Sequence, residues 1–220
     1  KFMKIILIGS QGKMGKEMQN FLTQKDISFV AIDKENLSDL NSAMGDVVLD
    51  FSSASALSQN LNFARSKNLP LVIATTNHTK ENLAKIKKQS KTLPIFMSSN
   101  FSIMFNLLNR MVKHLRCWQN QDVVLEEVHH KTKKDIPSGS AKMLMSTLKK
   151  NNVTPKVVAL RVGNVVGVHK VSVYSDYETL TITHNAESRQ VFCSGAYNAC
   201  KYILTKKCGL YDMENLIDSM

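Results

Sequence analysis

Lys4-Ile5-Ile6-Leu7-Ile8-Gly9-Ser10-Gln11-Gly12-Lys13-Met14-Gly15 stands near the N-terminus. A short isoleucine-rich run stops at a glycine, and a helical pattern begins three residues on. The run reads as a buried parallel strand. Residues 13–23 follow with helical spacing, with Met14, Met18, Phe21 and Leu22 on one face. Each glycine has a separate task. Gly9 allows the tight turn, Gly12 lets backbone approach a pyrophosphate, and Gly15 lets the helix lie close on the strand. The helix N-terminus then faces the phosphates. The spacing is G-x-x-G-x-x-G rather than G-x-G-x-x-G, so a plain strand–helix turn stays open as a reading.

The same rhythm continues along the chain. Phe29-Val30-Ala31-Ile32 reads as a second strand ending at Asp33, and Val47-Val48-Leu49-Asp50-Phe51 as a third. Residues 54–66 read as a helix with Ser52 or Ser53 as cap. Leu71-Val72-Ile73-Ala74 is a fourth strand, 80–91 a helix capped by Thr79, and Ile95-Phe96-Met97 a fifth strand. Alternating short strands and helices predict a doubly wound α/β sheet with right-handed crossovers. Asp33 sits where an acid meets the ribose hydroxyls of a dinucleotide, and Lys34 beside it could hold a 2′-phosphate. Together they permit NADH, NADPH or both; an ordinary surface charge pair is the alternative.

After a helix over 101–115 the pattern changes. Residues 123–128, 157–162, 165–174 and 179–184 read as longer strands, several alternating apolar with polar, the last two close enough for an antiparallel hairpin. This predicts a second, α+β domain with a mixed sheet over 103–188. Residues 1–102 with 189–220 form the Rossmann-like domain. Residues 191–204 return to a helix, and the chain turns at Gly209.

Charge and composition narrow the function. The 220 residues are 43% hydrophobic and 21% charged, as in an ordinary globular protein. No apolar run approaches a membrane span and no secretory signal is visible, which predicts a cytoplasmic protein. Met3-Lys4-Ile5 reads like a natural start preceded by two extra residues. Net charge is +11, but the lysines scatter and Trp118 is the only tryptophan. A solvated lysine-rich surface that also attracts anionic ligands is therefore expected, not a nucleic-acid patch. Cys117, Cys193, Cys200 and Cys208 contain no C-x-x-C pair and read as free thiols.

The chemistry concentrates in Glu127-Val128-His129-His130-Lys131-Thr132-Lys133-Lys134-Asp135-Ile136-Pro137-Ser138-Gly139-Ser140-Ala141. Two imidazoles and three ammonium groups precede a Ser-Gly-Ser helix start. Backbone N–H groups at such a start bind carboxylates and phosphates. Histidine exchanges protons near neutral pH, and crowded lysines do so more readily than free ones. Adjacent histidines on a strand point to opposite sides, and no H-E-x-x-H or Cys/His set accompanies them, so no metal is expected. The loop reads as a grip on a small acid with proton transfer beside it.

This run resembles the signature E-x-H-H-x-x-K-x-D-x-P-S-G-[ST]-A of the dihydrodipicolinate reductase family, with every fixed position met. The glycine loop is similar to that family's G-x-x-G-[RK]-M-G, and the resemblance reaches the closing Gly209-Leu210-Tyr211-Asp212-Met213. It implies contacts to the dinucleotide cofactor from Gly9, Ser10, Gln11, Gly12, Lys13 and Met14, with Asp33 and Lys34 at its ribose end. Ala74-Thr75-Thr76-Asn77 is similar to the family's G-T-T-G with both glycines replaced, and Ser99-Asn100-Phe101-Ser102 to its N-F-S element. These imply contacts near the nicotinamide and a hinge. His129 and Lys133 take proton-transfer roles by resemblance, and His130, Lys133, Gly139 and Ser140 contact a dicarboxylate substrate. The implied reaction sends hydride from NADH or NADPH to C4 of a conjugated C=C–C=N system and a proton to the adjacent carbon. Arg161 and Arg189 also resemble family positions, with a structural ion pair as the alternative for Arg189. The resemblance further implies a homotetramer through the second domain's sheet, and an abbreviated segment over 34–46.

Overall fold

The computed structural model describes residues 3–114 and 121–220, so Cys117 and Trp118 lie outside the described residues. The chain divides into two compact units, one running to Phe101 and resuming over Gln190–Met220, the other Ser102–Arg189.

The first unit is built on a six-stranded parallel sheet. Its strands are β1 (Ile5–Ile8), β2 (Phe29–Ile32), β3 (Val47–Asp50), β4 (Leu71–Ile73), β5 (Pro94–Met97) and β10 (Gly209–Tyr211). Their order across the sheet is β10-β5-β4-β3-β1-β2. β1 lies between β2 and β3, which is why all four of its residues are buried apolar side chains. The sheet alternation sends Ile6, Ile8, Val48, Leu71, Ile73 and Ile95 into one core cluster with Leu57, Leu61 and Ile86. These last come from α2 (Leu57–Lys67) and α3 (Lys80–Gln89). On the other side α1 (Lys13–Gln24) packs beside α6 (Gln190–Ile203), which contacts β3, β4 and β5. Each fully buried Leu or Ile contributes roughly 1.5–3 kcal/mol.

Several boundaries differ from the sequence reading for local reasons. The helix expected from residue 54 begins as a 3₁₀ turn over Ala54–Ala56 and becomes α2 only at Leu57. Ser53 makes no side-chain cap there, and the Ser52 hydroxyl bonds to Asp50 instead. Thr79 does cap α3, accepting from the Asn82 amide. Between β2 and β3, two short 3₁₀ turns within Lys34–Ser42, kinked at Asn36, carry the chain across and bury Leu40. The turn expected at Gly209 is a strand, and α7 (Met213–Asp218) follows it behind an Asp212 capping box.

The second unit pairs helices α4 (Ile103–His114) and α5 (Gly139–Lys150) with a mixed sheet. The strands are β6 (Asp122–His129), β7 (Lys156–Arg161), β8 (Gly167–Tyr174) and β9 (Thr179–Ala186), ordered β7-β6-β8-β9. β6 and β7 are parallel, as a βαβ unit through α5 requires, and the other pairs are antiparallel. Phe105, Leu108, Val112, Leu144 and Leu148 pack on Val123, Leu125, Val171 and Val173. The inward register of β6 then continues past its apolar half, so that Glu127 and His129 are buried beyond Leu125.

Candidate active site

In the first unit, strand register brings the expected cofactor segments to one edge. Ile8 aligns with Ile32 and Asp50, Asp50 with Ile73, and Ile73 with Met97. The loops after these strands therefore leave the same end of the sheet. Gly9 has φ +82°, and a β-carbon there would lie 2.5 Å from the Ser52 amide nitrogen. A β-carbon on Gly15 would lie 2.0 Å from the Gly9 carbonyl oxygen, so the helix reaches the strand only as glycine. Gly12 is exposed at the N-cap of α1 and supplies no side-chain cap, which leaves the first helical amides to an anion.

A cleft of about 600 Å³ opens here, with Gly9, Gln11, Gly12, Asp33, Lys34 and Ser53 among its lining residues. The Asp33 carboxylate accepts from the Gln11 and Lys34 amides, both at 2.7 Å. Slight burial pushes its carboxyl up, but these bonds and the Lys34 charge outweigh that and hold it below the ordinary range. A fixed carboxylate beside an open glycine turn fits a dinucleotide. Lys13 and Met14 open α1, while Ser10 is buried in the turn. Ala74, Thr75 and Thr76 follow β4. The Thr75 hydroxyl lies 2.9 Å from His78 Nε2, and Asn77 takes φ +62°. Ser99 is exposed, whereas Asn100 and Phe101 are buried, with the Phe101 ring on Phe96. Ser102 belongs to the second unit, where its hydroxyl meets His184 Nε2 at 3.1 Å and accepts from the Phe105 amide.

The centre of the second unit is Glu127, which is fully buried. Across the sheet it stands opposite Ala159 and His169, and His129 stands opposite Arg161. Arg161 Nη2 donates to Glu127 Oε1 at 2.9 Å, and the Ser138 amide donates to both carboxylate oxygens at 3.0 and 3.2 Å. Burial alone would raise this carboxyl, but the bonds from Ser138 and Arg161 hold it below the ordinary range. An ionised carboxylate is thus kept in the core by one cation and one helix-start amide. His129 Nδ1 lies 3.4 Å from Glu127 Oε2 without hydrogen-bond alignment. His169 Nε2 meets the Ser138 hydroxyl at 3.3 Å, and its ring stands 5.1 Å from that of His129. Burial, first of all, pushes His129 down to about 4 and His169 to about 3. Both rings are neutral at pH 7, and His184, also lowered by burial, completes the row beside Phe105.

The loop beyond β6 carries the remaining residues. His130 leaves the buried face, and its Nδ1 meets the Thr132 hydroxyl at 2.8 Å. Lys133 Nζ lies 2.7 Å from Asp135 Oδ1. Ser138 caps α5 by accepting from the Ala141 amide, so its own N–H and hydroxyl are spent inside the protein. Gly139 is exposed, with nothing within 4 Å of where a β-carbon would stand, and Ser140 is half-buried.

His169 and His184 escaped the sequence reading. The signal was present: His169 alternates with Val171 and Val173 on the inward face of β8. Glu127, His129 and His169 also bring one potential ligand atom each within 4.8 Å of one another, a grouping that residue spacing does not reveal. Arg161 already supplies the positive charge an ion would bring.

Comparison with known proteins gives one answer along the chain. The family model for the N-terminus of dihydrodipicolinate reductase matches residues 3–101, and that for its C-terminus matches 101–217. A 4-hydroxy-tetrahydrodipicolinate reductase of Clostridium novyi (strain NT) is 36% identical, covering 98% of both chains. One from Bdellovibrio bacteriovorus is 34% identical, covering 99% of this chain and 97% of its own. A dipicolinate-bound dihydrodipicolinate reductase from Paenisporosarcina sp. TG-14 shares the fold, with TM-score 0.81 at 18% identity over 98% of this chain and 99% of its own. On these matches, the chain belongs to the dihydrodipicolinate reductase family.

Proposed function

We propose that this protein reduces 4-hydroxy-tetrahydrodipicolinate to tetrahydrodipicolinate with a nicotinamide nucleotide, in lysine and diaminopimelate biosynthesis. The observation that carries the reading is the buried Glu127–Arg161–Ser138 hub, which ties strand end, cationic loop and helix start into one frame. Family membership supports the reaction class, and the glycine turn with its fixed Asp33 supports the cofactor.

The nucleotide supplies the hydride when bound. Water is lost from the 4-hydroxy compound before or during reduction. Hydride at C4 leaves an enamine whose adjacent carbon takes a proton. Lys133, whose ammonium lies 2.7 Å from Asp135 Oδ1, both contacts a substrate carboxylate and is the proton donor. His129, neutral at pH 7, accepts hydrogen bonds and assists. The amide of Gly139, the Ser140 hydroxyl and His130 hold the two carboxylates, which suits a helix N-terminus flanked by cations. Asp33 and Lys34 together support use of both NADH and NADPH.

The assembly that goes with this reading is a homotetramer through the outer face of the second unit's sheet. Val158 and Leu160 lie there 42% and 52% exposed, flanked by the Glu126–Lys170 pair at 2.7 Å. Leu160→Glu should lower the mass seen by sedimentation. The cytoplasm is the setting that fits free thiols at Cys193, Cys200 and Cys208.

The decisive test is nicotinamide oxidation with freshly generated substrate, on wild type and Lys133→Ala. The variant should lose roughly a hundred- to ten-thousand-fold in turnover while still binding nucleotide. Near-normal turnover would remove Lys133 from the mechanism, and an inactive wild type would overturn the reaction itself.

A further inference from the structure

Asp135 has no part in the chemistry described above, yet its side chain takes two of the donors that chemistry uses. Oδ1 lies 2.7 Å from Lys133 Nζ, and against a slight upward push from burial Lys133 first, and the nearby Gly139 amide after it, hold the Asp135 carboxyl below the ordinary range. The main chain at this residue is pinned, because Arg161 Nη2 donates to the Asp135 carbonyl at 2.6 Å. The side chain is not pinned in the same way. It is 46% exposed, and Lys133 is 23% exposed. Space beside the helix start is open at Gly139. A carboxylate held this way can swing into water, while the loop keeps its place through Arg161.

We propose that Asp135 is an internal competitor for the substrate: its carboxylate and one substrate carboxylate take Lys133 and the Gly139 amide in turn. The inference rests on the substrate reading of those two groups given under Proposed function. Its consequence is a limit on affinity. An incoming dianion gains the charge-assisted contacts only after another carboxylate gives them up, so the net gain is the difference between two similar interactions. The freed Asp135 side chain is solvated at once, which keeps the exchange reversible and eases departure of the product. Asp135 is on this view a specificity-determining residue that sets KM and does not touch the reacting carbons.

The test is calorimetric titration of pyridine-2,6-dicarboxylate into wild type, Asp135→Asn and Asp135→Ser, with NADH binding measured alongside as a check on folding. Both variants remove the charge, and either suffices if the other fails to fold. Loss of one half-exposed charged contact should tighten dicarboxylate binding about tenfold and lower the substrate KM in step. Asp135→Glu, which keeps the charge, should stay near wild type. Equal or weaker dicarboxylate binding by the neutral variants would overturn the inference, since that is what a purely structural hold on the loop gives. If wild type binds no dicarboxylate and turns over no substrate, the reductase reading falls first and this inference with it. If wild type does both and the neutral variants bind no tighter, only the competitor role is lost.

Discussion

Acidification from pH 7 to pH 5 should loosen the second unit much more than the first. His129 and His169 are buried and neutral there, with pKa values pushed down to about 4 and about 3, chiefly by burial. In the unfolded chain both titrate near 6.5. Between pH 6.5 and about 4 the unfolded chain therefore binds more protons than the folded one, so this stability is complete above 6.5 and is lost as pH falls. At pH 5, about 1.5 units below the unfolded value, each ring costs about 2 kcal/mol and the pair about 4 kcal/mol. That is a large share of the roughly 5–15 kcal/mol that holds a domain. The carboxyls of Glu127 and Asp135 are both lowered, so their losses begin only below the ordinary carboxylate range, outside this window. Asp50, buried in the first unit with its carboxyl raised by that burial, runs the other way and favours the folded state on acidification. Urea unfolding at pH 7, 6 and 5, with amide exchange followed on β6 and β8 against β1 and β3, separates the units. The exchange stability of β6 and β8 should fall by about 2.4 kcal/mol between pH 6 and pH 5 from these two rings, approaching the limiting slope for two protons. His169→Gln should halve that slope. Protection of β6 and β8 that is flat from pH 7 to 5, or ring signals titrating near 6.5 in the folded protein, would refute the reasoning.

Three other substitutions follow from the same geometry. Gly15→Ala places a β-carbon 2.0 Å from the Gly9 carbonyl oxygen, so α1 must move off β1. A loss of about 3 kcal/mol or more is expected with nucleotide binding lost alongside, and an unchanged melting midpoint would contradict it. Glu127→Gln leaves Arg161 without its buried anion and should cost about 3 kcal/mol in chemical denaturation together with turnover; a change below about 1 kcal/mol would show that the hub is dispensable. Lys34→Ala should weaken NADPH and spare NADH by up to about tenfold, an exposed cation contributing on the order of 1 kcal/mol. Equal loss for both in a fluorescence titration would mean that Lys34 does not read the 2′-phosphate.

The first five strands were legible because each is a short, nearly unbroken apolar run between turn residues, which only a sheet covered on both faces explains. β10 was not. Gly209-Leu210-Tyr211 is three residues long, too short to show a period, and it is a strand only because β5 offers it a free edge. The glycine turn was readable for a steric reason that the backbone bears out at Gly9 and Gly15. The His/Lys loop stands out in the sequence by its composition, but the frame that holds it does not. Arg161 stands 34 residues from Glu127, and His169 lies on a strand that antiparallel pairing brings alongside. A contact of that kind belongs to register between strands, which no local pattern encodes.

Within β6 the side chains facing inward run Val123, Leu125, Glu127, His129. The first two join the core with Phe105 and Leu144. The next two occupy the same face and therefore inherit the same dryness. Dryness pushes a carboxylate up and an imidazole down. For Glu127 the opposing bonds from Arg161 and Ser138 prevail, and for His129 burial prevails over the pull of Glu127. One strand thus delivers a fixed charge and a neutral ring two residues apart, at the point where the chain leaves the core for the loop carrying Lys133. A wholly apolar strand would be more stable in acid but would give the loop no anchor, because Arg161 and the Ser138 amide meet only at Glu127. The acid sensitivity predicted for the second unit and the placement of His129 and Lys133, the residues proposed for proton transfer, are therefore two consequences of a single inward register.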